Sequence, residues 1–230
     1  MLRLQNYING KQVPPTSKKY LENVCPSTGE NYSLIPDSDK TDVNRAVEAA
    51  RKSFKSWSTI PKQERSDFLM RLADEIEAHS EELVIAESRD NGKPEWLART
   101  VDIPRAPENF RFFATAILHF KSEIHEMDGK AINYTLRQPI GVAGCISPWN
   151  LPLYLLTWKV APAMAAGNTV VAKPSEITPM TAYLFGKICQ KAGLPKGVLN
   201  IVHGTGEKVG DPLTRHPDVP IISFTGGTET

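Results

Sequence analysis

The chain has 230 residues, 40% hydrophobic and 23% charged, an ordinary globular composition that can bury a core and suits one or two domains. Its 27 basic residues stand against 26 acidic ones, a formal net charge of +1, which argues against a nucleic-acid or anionic-membrane partner and leaves small molecules as the expected ligands. Three widely spaced cysteines, Cys25, Cys145 and Cys189, argue against a disulfide framework and carry no metal-ligand spacing; with no apolar signal core in MLRLQNYINGK and no run near the roughly 20 residues of a membrane span, a cytoplasmic protein without a metal is expected.

Residues 1 to 36 read as short strands and turns that wrap the domain. Asn9-Gly10 between Tyr7-Ile8 and Lys11-Gln12-Val13 is a hairpin signal, and Pro26-Ser27-Thr28-Gly29 is a further turn. Val43, Ala46, Val47, Ala50, Phe54 and Trp57 keep helical spacing, with Asp42 in the first turn to complement the dipole. Phe68, Leu69, Leu72, Ala73 and Ile76 define a second helix, and Ser80, followed by Glu81 and Glu82, caps a third that Gly92 ends. Ala106, Phe110, Phe113, Ala114 and Ile117 mark a longer helix entered through Pro104, with Arg105 at its start. Ile132, Tyr134 and Leu136 alternate as an exposed strand outside any central sheet.

The stretch from Gly141 to Glu176 reads as strand, loop, helix, strand. Val142 to Ile146 is an apolar run closed by the turn Ser147-Pro148-Trp149-Asn150; Leu153, Leu156, Val160 and Met164 share one helical face that Gly167-Asn168 terminates; Thr169 to Ala172 is a second buried strand. A right-handed β-α-β unit turns the loops at 147 to 150 and 173 to 176 toward one crevice, where a dinucleotide would lie. Glu176 can accept from ribose hydroxyls and Lys173 can donate to them; KPSE alone also reads as an exposed ion pair at a helix start. Thr178 to Ala192 is a helix, Val198 to Val202 a strand, and Gly204 to Gly210 opens another helix as a GxGxxxG, one residue longer than the dinucleotide fingerprint. After a last strand at Ile221 to Phe224, Thr225-Gly226-Gly227-Thr228 presents backbone N–H groups where a helix would begin, an anion site.

ISPWN (146 to 150), AAGNTVVAKPSE (165 to 176) and FTGGTET (224 to 230) resemble the aldehyde dehydrogenase superfamily, and DIPRAPENFRFFA (102 to 114) with SPWNLPLYLLTWK (147 to 159) is most similar to its 2-aminomuconic and 2-hydroxymuconic semialdehyde dehydrogenases. The resemblance implies an α/β fold with a doubly wound, Rossmann-like parallel sheet and NAD as cofactor. It implies cofactor contacts from Ile146, Ser147, Pro148, Trp149, Lys173, Ser175, Glu176, Gly206, Gly210, Gly226 and Gly227, with Gly226 to Thr228 by the pyrophosphate. Asn150 matches the asparagine whose side-chain amide stabilises the oxyanion, and Arg105 the arginine that holds a substrate carboxylate. Without the resemblance, Asn150 is a loop or cap residue and Arg105 a solvated arginine near a helix end. Cys145, inside a buried strand, is read as an inert small hydrophobe. The Glu176 carboxylate would repel a 2′-phosphate, so NADP is disfavoured, although the Lys173 charge works in the opposite direction.

Family chains are about twice as long, so the resemblance makes this the N-terminal half, with nucleophilic cysteine and general-base glutamate beyond Thr230. The expected divisions are residues 1 to 118 as the first part of the cofactor domain, 119 to 139 as an oligomerisation arm, and 140 to 230 as the dinucleotide-binding core. Two readings remain open. One is the cofactor half of an NAD-dependent enzyme that oxidises a carboxylated semialdehyde, inactive by itself; the other is a catalytically inactive dinucleotide-binding or assembly module that associates with copies of itself or a full-length relative.

Overall fold

The computed structural model describes residues 1–228. After a two-residue strand β1 (Leu2–Arg3), strands β2 (Asn6–Ile8) and β3 (Lys11–Val13) form the expected hairpin. Its turn works because Asn9 and Gly10 take φ values of 52° and 76°, the left-handed pair that matches the twist of the flanking strands. Strands β4 (Tyr20–Val24) and β5 (Asn31–Pro36) pair antiparallel and, with β1 parallel to β5, make a separate three-stranded sheet.

Three helices follow: α1 (Lys40–Thr59), α2 (Lys62–Ala78) and α3 (Ser80–Asn91). Asp39 caps α1 by accepting from the Thr41 amide. Asp42 does more than complement a dipole: it is buried and accepts from the Thr16 amide and hydroxyl, tying the preceding loop to the helix. Ser80 does not cap α3. It is the first helical residue, His79 holds the cap position with no side-chain bond to the amides of α3, and the acidic Glu81 and Glu82 supply the favourable first-turn charge. Gly92 ends the helix in the left-handed conformation. A short turn α4 (Glu95–Leu97) and a π-helical turn at Ala98–Asp102 lead into α5 (Ile103–Ala116). Strands β6 (Ile124–Met127) and β7 (Ala131–Tyr134) then stand out as an exposed hairpin; Leu136 falls beyond β7.

The remaining elements alternate: β8 (Val142–Ile146), α6 (Pro152–Ala165), β9 (Thr169–Lys173), α7 (Met180–Lys191), β10 (Leu199–Ile201), a π-helical turn at Gly206–Gly210, α8 (Asp211–Thr214) and β11 (Ile221–Phe224). The principal sheet has the order β11-β8-β9-β10-β2-β3. Its first four strands are parallel, and the N-terminal hairpin joins antiparallel through Tyr7 opposite Ile201. The hairpin is therefore part of the sheet rather than a wrap around it, held there also by the Asn9 amide donating to Asn200 Oδ1 at 2.9 Å.

Both faces of this sheet are covered, which is why β8 and β9 are continuous apolar runs rather than alternating ones. Ala143, Cys145, Val170 and Ala172 face a core built with α2, α3, α5, α6 and α7. Val142, Ile146 and Val171 face the other way onto Val43, Ala46, Val47 and Ala50 of α1 and Leu213 of α8. The fold is thus a doubly wound α/β sheet. Pairing places Phe224, Ile146 and Lys173, the last residues of β11, β8 and β9, side by side in one row.

Candidate functional site

That row is the floor of a cleft at the carboxyl ends of the parallel strands, where open α/β sheets bind ligands. Two adjoining cavities of about 490 and about 370 Å³ share Ile146, Lys173, Gly206 and Phe224. The larger is completed by Glu207, Gly210, Asp211 and Thr214. The other is completed by Ser147, Pro148, Trp149, Asn150, Ser175, Glu176, Thr225, Gly226 and Gly227. Of the cofactor-contact residues expected from the sequence, all but Thr228 line one cavity or both. The helix expected to begin at Thr225–Thr228 would run through Glu229 and Thr230, outside the described residues.

Lys173 Nζ and Glu176 Oε2 are 2.6 Å apart. The sequence allowed an exposed pair, but the lysine is buried and only about a third of the Glu176 side chain is accessible, 34%, because Lys173 is the last residue of a central strand. Burial alone would raise the Glu176 carboxyl; the Lys173 charge and hydrogen bond, with backbone amides including that of Gly206, outweigh it and hold the group below its ordinary range. Beside them is the buried His203, pushed down to about 3 by burial and by the Lys173 charge, so its imidazole stays neutral. Gly206 has open space where a Cβ would project, so a flat group can approach its backbone there.

The loop after β8 is tethered on several sides. The Ser147 amide donates to Lys173 O at 3.1 Å, Asn91 Nδ2 to Trp149 O at 2.8 Å, and Lys93 Nζ to Asn150 O at 3.0 Å. Among the described residues the Asn150 side-chain amide bonds to no protein group, leaving it available to a ligand. Lys159 Nζ, partly desolvated, donates to Thr225 Oγ1 at 2.5 Å. Cys145 lies fully buried in β8, and burial pushes its thiol up to about 12 despite the nearby Lys159; an inert cysteine is what its strand position dictated.

Arg105 lines neither cavity. At the start of α5 it pairs with Glu108 at 3.1 Å, donates to the Tyr154 hydroxyl at 3.3 Å and stacks 5.2 Å over that ring. Tyr154 is in the first turn of α6, the helix that follows Asn150, so Arg105 flanks the same end of the sheet. The sequence reading did not single out Glu207, Asp211 and Thr214, although their spacing places them along one helical face beyond Gly206. Lys159 and His203 left no sequence signal, being single basic residues whose burial depends on tertiary packing.

The Aldehyde dehydrogenase family profile matches residues 13–230. The chain belongs to the aldehyde dehydrogenase family. It is 57% identical over its whole length to 2-aminomuconic semialdehyde dehydrogenase of Bos taurus, covering 47% of that protein. It is 47% identical, again over its whole length, to 2-hydroxymuconic semialdehyde dehydrogenase of Pseudomonas sp. (strain CF600), covering 49% of it. The structure superposes with a TM-score of 0.96 on an aldehyde dehydrogenase from Bacillus cereus solved as an NAD+ complex, at 36% identity, covering 99% of this chain and 47% of that one. The chain spans about half the length of the curated relatives it matches. Among the described residues no helix is long and apolar enough to cross a membrane.

Proposed function

We propose that this chain supplies the cofactor-binding half of an NAD-dependent aldehyde dehydrogenase that oxidises a carboxylated semialdehyde, of the 2-aminomuconic type, to the acid. The observation that carries the reading is the alignment of Phe224, Ile146 and Lys173 beneath one cleft, with Glu176 paired to Lys173 at its wall. NAD when bound supplies the hydride acceptor. The chain's own groups fit such a ligand. Glu176, held ionised, accepts from the adenosine ribose hydroxyls while Lys173 keeps that carboxylate fixed and donates to them. Gly206 and Gly210 leave room for the adenine, and the amides around Gly226 and Gly227, in the lining of the second cavity, would donate to its pyrophosphate. Asn150 donates its side-chain N–H to the oxyanion that develops at the aldehyde oxygen, worth about 3 kcal/mol of barrier. Arg105 attracts the substrate's carboxylate. With all three cysteines free and buried, we place the protein in the reducing cytoplasm, and the exposed β6–β7 hairpin as the arm of a homo-oligomer.

A second reading, a catalytically inactive assembly module, draws on the same hairpin: β6 and β7 expose Ile124, Met127, Ile132 and Tyr134 along a short two-stranded sheet, as an association surface would. The protein expressed from its complete reading frame distinguishes the two. NADH formation with a carboxylated semialdehyde, reduced about 100-fold or more in kcat by Asn150→Ala, supports the enzyme; NAD binding without turnover in the wild type supports the module. A KM increase in Arg105→Ala confined to carboxylated aldehydes tests the substrate class.

A further inference from the structure

The tethers behind Asn150 converge on one buried cluster. Trp149 O accepts from Asn91 Nδ2 at 2.8 Å and from Thr178 Oγ1 at 3.4 Å, while Asn150 O accepts from Lys93 Nζ at 3.0 Å. These two carbonyls belong to the peptide units on either side of Asn150. Because each peptide unit is planar, holding both carbonyls fixes the backbone at Asn150 and hence the direction of its Cβ. Lys93 is in turn clamped. It forms an ion pair with Asp102, at the end of the turn before α5, and lies 3.8 Å from Glu87 Oε1 of α3. Side-chain exposure of Lys93, Asp102 and Glu87 is 9%, 2% and 0%. The Glu87 carboxyl also faces the backbone amide of Leu153 and the Thr181 hydroxyl. Leu153 is in the first turn of α6, a helix with Pro152 at its start and no side-chain cap of its own.

Such a cluster is a poor device for stability alone, since desolvating three ionisable groups offsets most of their attraction and apolar residues of similar volume would serve as well. What apolar residues could not do is donate to the Asn150 carbonyl. We propose that Lys93, clamped by Asp102 and Glu87, is a positioning residue that aims the Asn150 amide into the cleft; this rests on the role given above to Asn150. The segment Asn91–Lys93, on the far side of the loop from the ligand, thereby sets the geometry of the oxyanion site.

The test uses the protein from its complete reading frame. Lys93→Met/Asp102→Asn removes both charges together and leaves neither buried and unpaired, whereas Lys93→Arg keeps an N–H donor. The double variant is expected to lower kcat for aldehyde oxidation about 10- to 100-fold, as a displacement of about 1 Å does. Its Kd for NAD should stay within about twofold, because Lys173 and Glu176 are untouched, and hydrogen exchange of the amides between 149 and 155 should accelerate about tenfold. Lys93→Arg should restore kcat to within about threefold of wild type. A double variant with wild-type kcat and unchanged exchange overturns the proposal, as does a loss of kcat matched by an equal loss of NAD affinity. If the wild type oxidises no aldehyde, the proposed function fails separately; accelerated exchange confined to 149–155 then still supports Lys93 as the loop's anchor, and unchanged exchange refutes it.

Discussion

Glu176→Gln removes one charge from the cleft and keeps the side chain's shape, so its effects on NAD and NADP can be worked out separately. In the wild type the Glu176 carboxylate lies 2.6 Å from Lys173 Nζ and balances it. With glutamine, the bond to a ribose hydroxyl drops from charge-assisted to neutral, a loss of about 1 kcal/mol, so NAD should bind about five- to tenfold more weakly. The 2′-phosphate of NADP gains instead, because Lys173 loses its counter-charge. Two unit charges about 4 Å apart interact by roughly 4 kcal/mol at an effective dielectric of 20. Glu176 is about one-third exposed, 34%, so solvent screening reduces this to about 1–2 kcal/mol, or about tenfold tighter NADP. The preference for NAD over NADP should therefore fall on the order of 50- to 100-fold. Calorimetric titration with each nucleotide measures it, and the NADP gain should shrink between low and physiological salt. An unchanged preference would refute the placement of the ribose at this pair.

Two further outcomes follow from the same geometry. Gly206→Leu projects a side chain into open space at the cleft, so stability should change by no more than about 0.5 kcal/mol while NAD affinity falls at least tenfold; denaturant midpoints and titration read the two, and retained affinity would move the ligand elsewhere. Glu87, pushed up to about 8 chiefly by burial, keeps a proton in the folded state that the unfolded chain has lost, so stability should decline as pH rises from about 4.5 toward 8, by up to about 1.4 kcal/mol per unit. Glu87→Gln should flatten that slope in urea titrations at pH 5 and 8, and an unaltered slope would contradict the assignment.

Legibility in the sequence followed how local each feature is. Strands β8 and β9 were readable because both faces are buried and glycine and proline bound the runs. The cleft residues came with them, since strand ends and the loops after them lie together in any parallel sheet. The hairpin at Asn9-Gly10 was equally local, but its place at the sheet edge was not, because pairing with β10 joins residues nearly 200 positions apart and leaves no pattern in either segment. Lys173 and Glu176 were legible as a pair, three residues apart; the burial of Lys173 was not, since it depends on neighbouring strands. The anchoring of Asn150 was invisible for the same reason. Glu87 and Asp102 sit on helical segments and Lys93 in the loop between α3 and α4, and only the packing of α3 against α7 and against the turn before α5 turns them inward. Ser80 was misread because a serine before acidic residues signals a cap, whereas here it is already the first helical residue.

Whether the cleft over Phe224, Ile146 and Lys173 holds NAD is tested most directly by calorimetric titration of the wild-type protein alongside Lys173→Ala and Glu176→Ala. The expected result is one NAD site per chain, with affinity reduced at least tenfold in each variant. Binding of equal strength in all three proteins, or no binding to the wild type at millimolar NAD, would contradict it.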